Sequence, residues 1–266
     1  MIRERCACCA QALSSYTRIA LTSLQSWGSP HAFVVQFLIE PLLTYLFFYC
    51  FGIQLSDSSL SVLTAAFVGS AWILALQCSA NIVAFDRFNG TMSLLTLSPR
   101  RSTALFIWRA IVISSICFLS SLVTAGISLW LTGFEMLSLL PLLGLLLFFA
   151  TVGGSVFGAL GSVAGLFFSD GFAVTNIFLI LFPLIGGSVV PLVYFPAVVA
   201  KVLHILPLCW LTDAARSLWS SQSSDAVLYV WPVVALLAFW IAATILLWRL
   251  SARVQRNTGH IEGMGI

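Results

Sequence analysis

Six apolar stretches, at residues 32–53, 60–84, 103–132, 139–168, 172–190 and 226–248, take up most of this 266-residue chain. About 20 apolar residues in a helix cross a hydrocarbon core of roughly 30 Å. Inside lipid nothing but the chain itself can satisfy backbone N–H and C=O groups, so stretches of this kind must be helical. Only 8% of residues are charged and 60% are hydrophobic, where a soluble domain is about one quarter charged. Mean hydropathy is +1.05. These features predict an all-α integral membrane fold: one membrane domain over 32–248, six transmembrane helices, an N-terminal segment at 1–31 and a tail at 249–266.

The basic residues orient the spans. With the N-terminus inside, ten arginines (Arg3, Arg5, Arg18, Arg87, Arg100, Arg101, Arg109, Arg249, Arg253 and Arg256) fall on the cytoplasmic side and only Lys201 and Arg216 on the other. That asymmetry predicts an N-in, C-in arrangement with an even number of spans. The net charge of +3 then follows from topology, and no basic groove interleaved with aromatic platforms points to nucleic acid. Before Pro30 the apolar run is broken by Tyr16, Arg18 and Gln25, which argues against a cleavable signal peptide. Leu13, Tyr16, Ala20, Leu24 and Trp27 recur at helical spacing, as in an amphipathic helix on the inner leaflet or one packed against a partner.

Several chemistries are excluded by what is missing. Cys6, Cys8 and Cys9 lack paired spacing and nearby His ligands, and Cys50, Cys78, Cys117 and Cys209 are scattered through apolar segments, so they read as small hydrophobes and no metal site is expected. There is no Gly-Lys-Ser/Thr phosphate loop, no His-Glu-x-x-His and no Gly-x-Ser-x-Gly. The chain is therefore expected to be no enzyme, to bind no cofactor of its own and to take any energy source from elsewhere.

Three local patterns stand out. The connection between the second and third spans runs from Phe85 to Arg101. Asn89 can cap a short helix carrying Met92, Leu94, Leu95 and Leu97 that Pro99 ends, either as a docking element or as a loop on the headgroups. Gly154, Gly158, Gly161 and Gly165 recur every three or four residues in the fourth span, which allows a neighbouring helix close, within one chain or across a dimer. Gln36 and Glu40 in the first span and Gln77 and Asn81 in the second form either a polar patch at an inner gate or simple helix-to-helix hydrogen bonds.

The second connection resembles that of the permease subunits of ABC-2 type ATP-binding cassette exporters. Their pattern of an acidic residue, Arg, Gly-Thr, a leucine pair and Ser/Thr-Pro is matched by Asp86, Arg87, Gly90, Thr91, Leu94, Leu95, Ser98 and Pro99. Ser93 stands where the family usually carries an acid. A second pattern is matched by Gly187, Pro191, Phe195, Pro196, Pro207, Leu208, Ala214 and Arg216. The resemblance implies that Asp86 to Pro99 is a coupling helix seated on a separate cytoplasmic ABC ATPase. Two copies of that ATPase would bind ATP and Mg, and a second permease copy or a related permease would complete the pathway in the plasma (inner) membrane.

The resemblance also implies that the chain after the fifth span turns part-way back into the outer leaflet. Pro191, Pro196 and Pro207 fit that, since proline breaks a continuous helix and irregular backbone survives at membrane depth only when buried in protein or facing water. Phe195 and Leu208 are then candidates to seal an outer gate. Lys201, His204, Asp213 and Arg216 would lie at the outer mouth, as headgroup anchors or substrate contacts. The competing function is an ATP-independent secondary transporter or channel, which would show paired broken helices and midplane charges; a membrane scaffold stands further off.

Overall fold

A computed structural model describes residues 16–22, 24, 28–55, 59–91, 102–132, 140–165, 172–218 and 229–258. It is 91% helical, with no strand among the described residues, so the all-α class holds. Helix α1 (Pro30–Val34) passes through a π-helical turn (Val35–Ile39) into α2 (Glu40–Leu55). There follow α3 (Ser59–Phe88), α4 (Ser102–Thr132), α5 (Leu140–Gly165), α6 (Ala173–Ile185), a 3₁₀ turn (Leu192–Tyr194), α7 (Ala197–Leu203), α8 (Pro207–Ser217) and α9 (Val230–Thr258).

Among the described residues, five segments are long and apolar enough to cross a membrane: Pro30–Gln54, Ser61–Asp86, Thr103–Trp130, Pro141–Gly165 and Val230–Val254. The expected fifth span is shorter than its apolar run. Helix α6 ends at Ile185, and at 1.5 Å per residue its length is about 20 Å. Pro183 weakens its last turn, and the chain leaves helical geometry at Gly186. Helices α7 and α8 are bent by 106° from one another. Their axial lengths of roughly 10 and 17 Å are too short for either limb to cross a core of roughly 30 Å.

Helix α3 is the hub. In it 83% of the best apolar window is buried inside the protein, against 22% for the first span and 17% for α9. It buries the alanines Ala65, Ala66, Ala71 and Ala75 beside the large side chains Leu63, Phe67, Trp72 and Leu76, and α5 meets it with glycine. A Cβ at Gly154 would lie 2.3 Å from the Trp72 carbonyl oxygen and one at Gly158 would lie 2.2 Å from that of Leu76. Only hydrogen at those positions lets the backbones meet. The stripe thus faces α3 of the same chain, while Gly161 meets the ring of Phe178 on α6 and Gly165 is buried at the end of α5. Around this seam the rings of Trp72, Phe157 and Phe182 pack tilted or edge to face, with centroids 5.1–5.7 Å apart.

Helices α2, α4 and α9 turn large apolar side chains outward, among them Phe47, Phe51, Leu119, Trp130, Phe239 and Leu246. In water such a surface would be an aggregation hazard, and in lipid it is the expected coat. Residues 16–22 are helical, a shorter piece than the spacing predicts, with Leu13 and Trp27 outside the described residues. Ala20 and Leu24 are buried, Leu24 in a cluster with Phe37, Leu74, Ile82 and Ile113, and Trp108 donates to the Thr17 hydroxyl at 3.1 Å. The apolar face of this segment is turned to the bundle.

Candidate functional site

The base of the second connection is built at the end of α3. That helix runs on to Phe88, further than the apolar run alone predicts, and Gly90 at φ 67° leaves it in the left-handed conformation that lets a chain turn off a helix. The Thr91 hydroxyl donates back to the Asp86 carbonyl at 3.1 Å and lies 3.4 Å from its carboxylate. The Asp86 carboxylate pairs with Arg109 of α4 at 2.5 Å, with the side chains only 13% and 6% exposed. A buried ion pair contributes little to net stability, but removing one partner strands the other charge and costs about 3–5 kcal/mol. The pair therefore fixes where the connection leaves the bundle. Arg87 lies in the helix, its side chain outside what is described; Leu94, Leu95, Ser98 and Pro99 lie outside the described residues.

Spacing does not mark Arg109 as a partner for Asp86, because the two are 23 residues apart on different helices. A usable signal existed. Arg109 is the only charge in the interior of the third span, and a charge within a span implies an acidic partner.

The polar residues of the first two spans are brought together. Gln77 hydrogen-bonds the Glu40 side chain, and the Gln36 amide donates to the Cys78 thiol at 3.5 Å. Asn81 is half-buried further along α3. The π-helical turn falls between Gln36 and Glu40, and such turns recur at functional positions. Pro41 has no N–H for the carbonyl one α-helical turn earlier, that of Phe37. The hydroxyl of Ser120 on α4 donates to that carbonyl instead. A break in the first span is therefore tied to the third.

Between α6 and α8 the backbone carbonyls left over by the turn are claimed by side chains. Gly187 has φ 79°. The Thr212 hydroxyl donates to Gly186 O at 2.8 Å, Arg216 to Gly187 O at 2.8 Å and the Ser188 hydroxyl to Pro183 O at 3.1 Å. Trp210 donates to His204 O at 2.7 Å, and Trp240 of α9 donates to Ile205 O at 3.2 Å. Helix α8 is anchored by Thr64 of α3, which donates to Ala215 O at 2.7 Å. His204 and Asp213 pair at 3.1 Å.

Leu208 is 1% exposed and sits in the main core with Leu211 and Phe182, whereas Phe195 is half-buried beyond the 3₁₀ turn and Lys201 is exposed. Tyr194, Val198 and Val202 stand outward.

Compared with protein families, residues 17–219 match the family described as ABC-2 type transporter, a stretch that takes in α1 to α8 and both motif regions. No curated protein matches the chain.

Proposed function

The chain belongs to the ABC-2 type transporter family, a family of multi-pass transport subunits, and from that premise we propose that it is the permease of an ATP-driven exporter. In this reading two permeases, identical or related, enclose the pathway in the cytoplasmic membrane. Two copies of a separate ATPase bind ATP and Mg, and the Asp86 to Pro99 connection carries their motion to the bundle.

The observation that carries the reading is the buried pair of Asp86 with Arg109 at the root of that connection. A force applied to a loop moves a bundle only if the loop root is stiff. Here it is held by an ion pair to α4 and by the Thr91 hydroxyl, while α3 itself is the most buried span. Displacement at Asp86 is thereby delivered to α3, α4 and, through the glycine seam, α5. The polar patch of Gln36, Glu40, Gln77 and Asn81 lies along α3 and serves as the inner gate, with the return between α6 and α8 as the outer one. Phe195 closes against the partner permease, and Leu208 holds the return to the core.

The test is co-purification together with transport. A tagged chain should bring down an untagged ABC ATPase, and Leu94→Glu with Leu95→Glu should uncouple ATP hydrolysis from efflux while the permease still inserts, because an apolar contact is replaced by a desolvated charge. Unchanged efflux in that variant would remove the coupling assignment.

A further inference from the structure

The imidazole of His204, at the bend between α7 and α8, faces an acceptor at each of its two nitrogens. Nδ1 lies 2.7 Å from Ala200 O and Nε2 lies 3.1 Å from the Asp213 carboxylate. A carbonyl and a carboxylate only accept, whereas a neutral imidazole has one N–H and one lone pair. Both contacts are hydrogen bonds only when the pair holds an extra proton, either as a second N–H on the ring or as an O–H on the carboxyl. Without that proton a lone pair on the ring is set against one on oxygen, and one of the two contacts turns repulsive.

The pair spans the bend. His204 caps the C-terminal end of α7, Asp213 lies nine residues on in α8, and the two helices diverge by 106°. Helix α8 is fixed to the bundle through buried Leu208, Leu211 and Ala215 and through Thr64 of α3. Helix α7 buries none of its residues, and Val198 and Val202 on it are 75% and 58% exposed. An element with so little buried apolar surface opens locally at small cost, so its hold depends on the bonds at its C-terminal end. Two of those bonds do not titrate, the ones that Trp210 donates to His204 O and Trp240 to Ile205 O. The third is the pair of His204 with Asp213, whose side chains are 28% and 29% exposed, open enough to exchange protons with solvent. The other titratable and charged groups around it are engaged elsewhere or stand outward. Lys201 on α7 is exposed, Arg216 on α8 donates to Gly187 O, the Cys209 thiol on α8 donates to Ile185 O, and Tyr229 before α9 packs on the Trp210 ring at 6.0 Å. Among the described residues, Asp213 is the one ionisable side chain hydrogen-bonded to the imidazole.

We propose that His204 and Asp213 form a proton-operated latch on the return: the protonated pair ties α7 to α8 across the bend, and release of the proton frees α7. Imidazole takes up or gives up a proton between about pH 5 and 8. Because both contacts are bonds only in the protonated state, the hold is complete at the acid end of that range and is lost as pH rises through it. The latch rests on the fold of the return alone. It is independent of the transport reading, because it is scored without ATPase or efflux.

The test is hydrogen exchange by mass spectrometry on the full-length protein in lipid nanodiscs, with the rate for residues 197–206 divided by the intrinsic chemical rate at each pH. Protection there should fall about fivefold between about pH 5.5 and about pH 8.5, the equivalent of one ordinary hydrogen bond, while peptides from the α3–α5 seam keep theirs. His204→Gln puts a non-titrating amide N–H where Nε2 stands, and Asp213→Asn offers the ring a group that pairs with it in either charge state. Each should flatten the step. His204→Leu should leave α7 at the parent's alkaline level of protection throughout. The parent profile needs no variant and the two flattening variants act from opposite sides of the pair, so misfolding of one leaves the test intact. The latch is overturned if parental protection does not change with pH, if the step survives in His204→Gln or Asp213→Asn, or if His204→Leu is as protected as the parent at the acid end. It is also overturned if the seam peptides show the same step, which would place the titrating group elsewhere.

Discussion

Where α5 lies on α3, two continuous helices touch through absent side chains, and no hydrogen bond between them is required. Gly154 and Gly158 bring backbone against backbone, and each helix satisfies its own N–H and C=O groups along its length. In the return from α6 to α8 the chain leaves helical geometry three times, and nearly every turn is met by a hydroxyl, an indole or a guanidinium reaching a carbonyl. The first region is held by shape and the second by hydrogen-bond accounting. The contrast has one cause. Lipid is as apolar as leucine, so packed helices gain from close contact alone, while unpaired backbone at membrane depth costs several kcal/mol per group.

The most damaging way to test the contrast is to put a side chain into the seam. Gly158→Leu drives carbon into the Leu76 backbone, which cannot rotate away, and should cost about 3 kcal/mol or prevent folding, as for severe overpacking. Gly126→Leu on α4, where no atom lies within 4 Å, should leave the unfolding transition in detergent unchanged. If the two variants unfold alike, the seam is looser than described.

Arg216→Met should have a smaller but clear effect in the return. It removes the donor to Gly187 O and leaves Asp213 with His204 alone, for an expected loss of about 2 kcal/mol, typical of a hydrogen bond to a charged group. The loss should appear in equilibrium unfolding and as proteolytic cleavage between Gly186 and Pro196, with the α3–α5 seam still protected. Cleavage spread evenly over the chain would mean that the two regions are not separately held.

Ser120→Ala should be the mildest. It removes the donor to the Phe37 carbonyl beside Pro41, and hydrogen bonds between helices in a membrane average about 0.6 kcal/mol. Hydrogen exchange measured on the first span should rise locally without a shift in global unfolding. A global loss above about 2 kcal/mol would place this bond with the buried ion pairs.

Five of the apolar runs contain helices long and apolar enough to cross a membrane, because span length is set by bilayer thickness and not by neighbours. The fifth run misled in extent. Residues 186–190 are apolar enough to continue a helix, but Pro183 and the left-handed Gly187 end it. Asp86 and Thr91 meet at the end of α3, and Gln77 meets Glu40 between the first two spans. What stayed hidden was Arg109 under Asp86, Ser120 under Pro41 and Thr64 under α8, each a partner separated by 23 to 151 residues.

The division follows from physics. Local sequence alone determined that the chain is helical and membrane-embedded, where most spans run and where the helix must break, since hydropathy, proline and glycine act on the residues that carry them. Only the tertiary structure decided which carbonyl each hydroxyl would cap, which face the glycine stripe would serve and which acid would neutralise Arg109. Those outcomes depend on how helices lie side by side, and in a bilayer, where hydrophobicity no longer distinguishes one helix face from another, close packing and polar pairing make that choice.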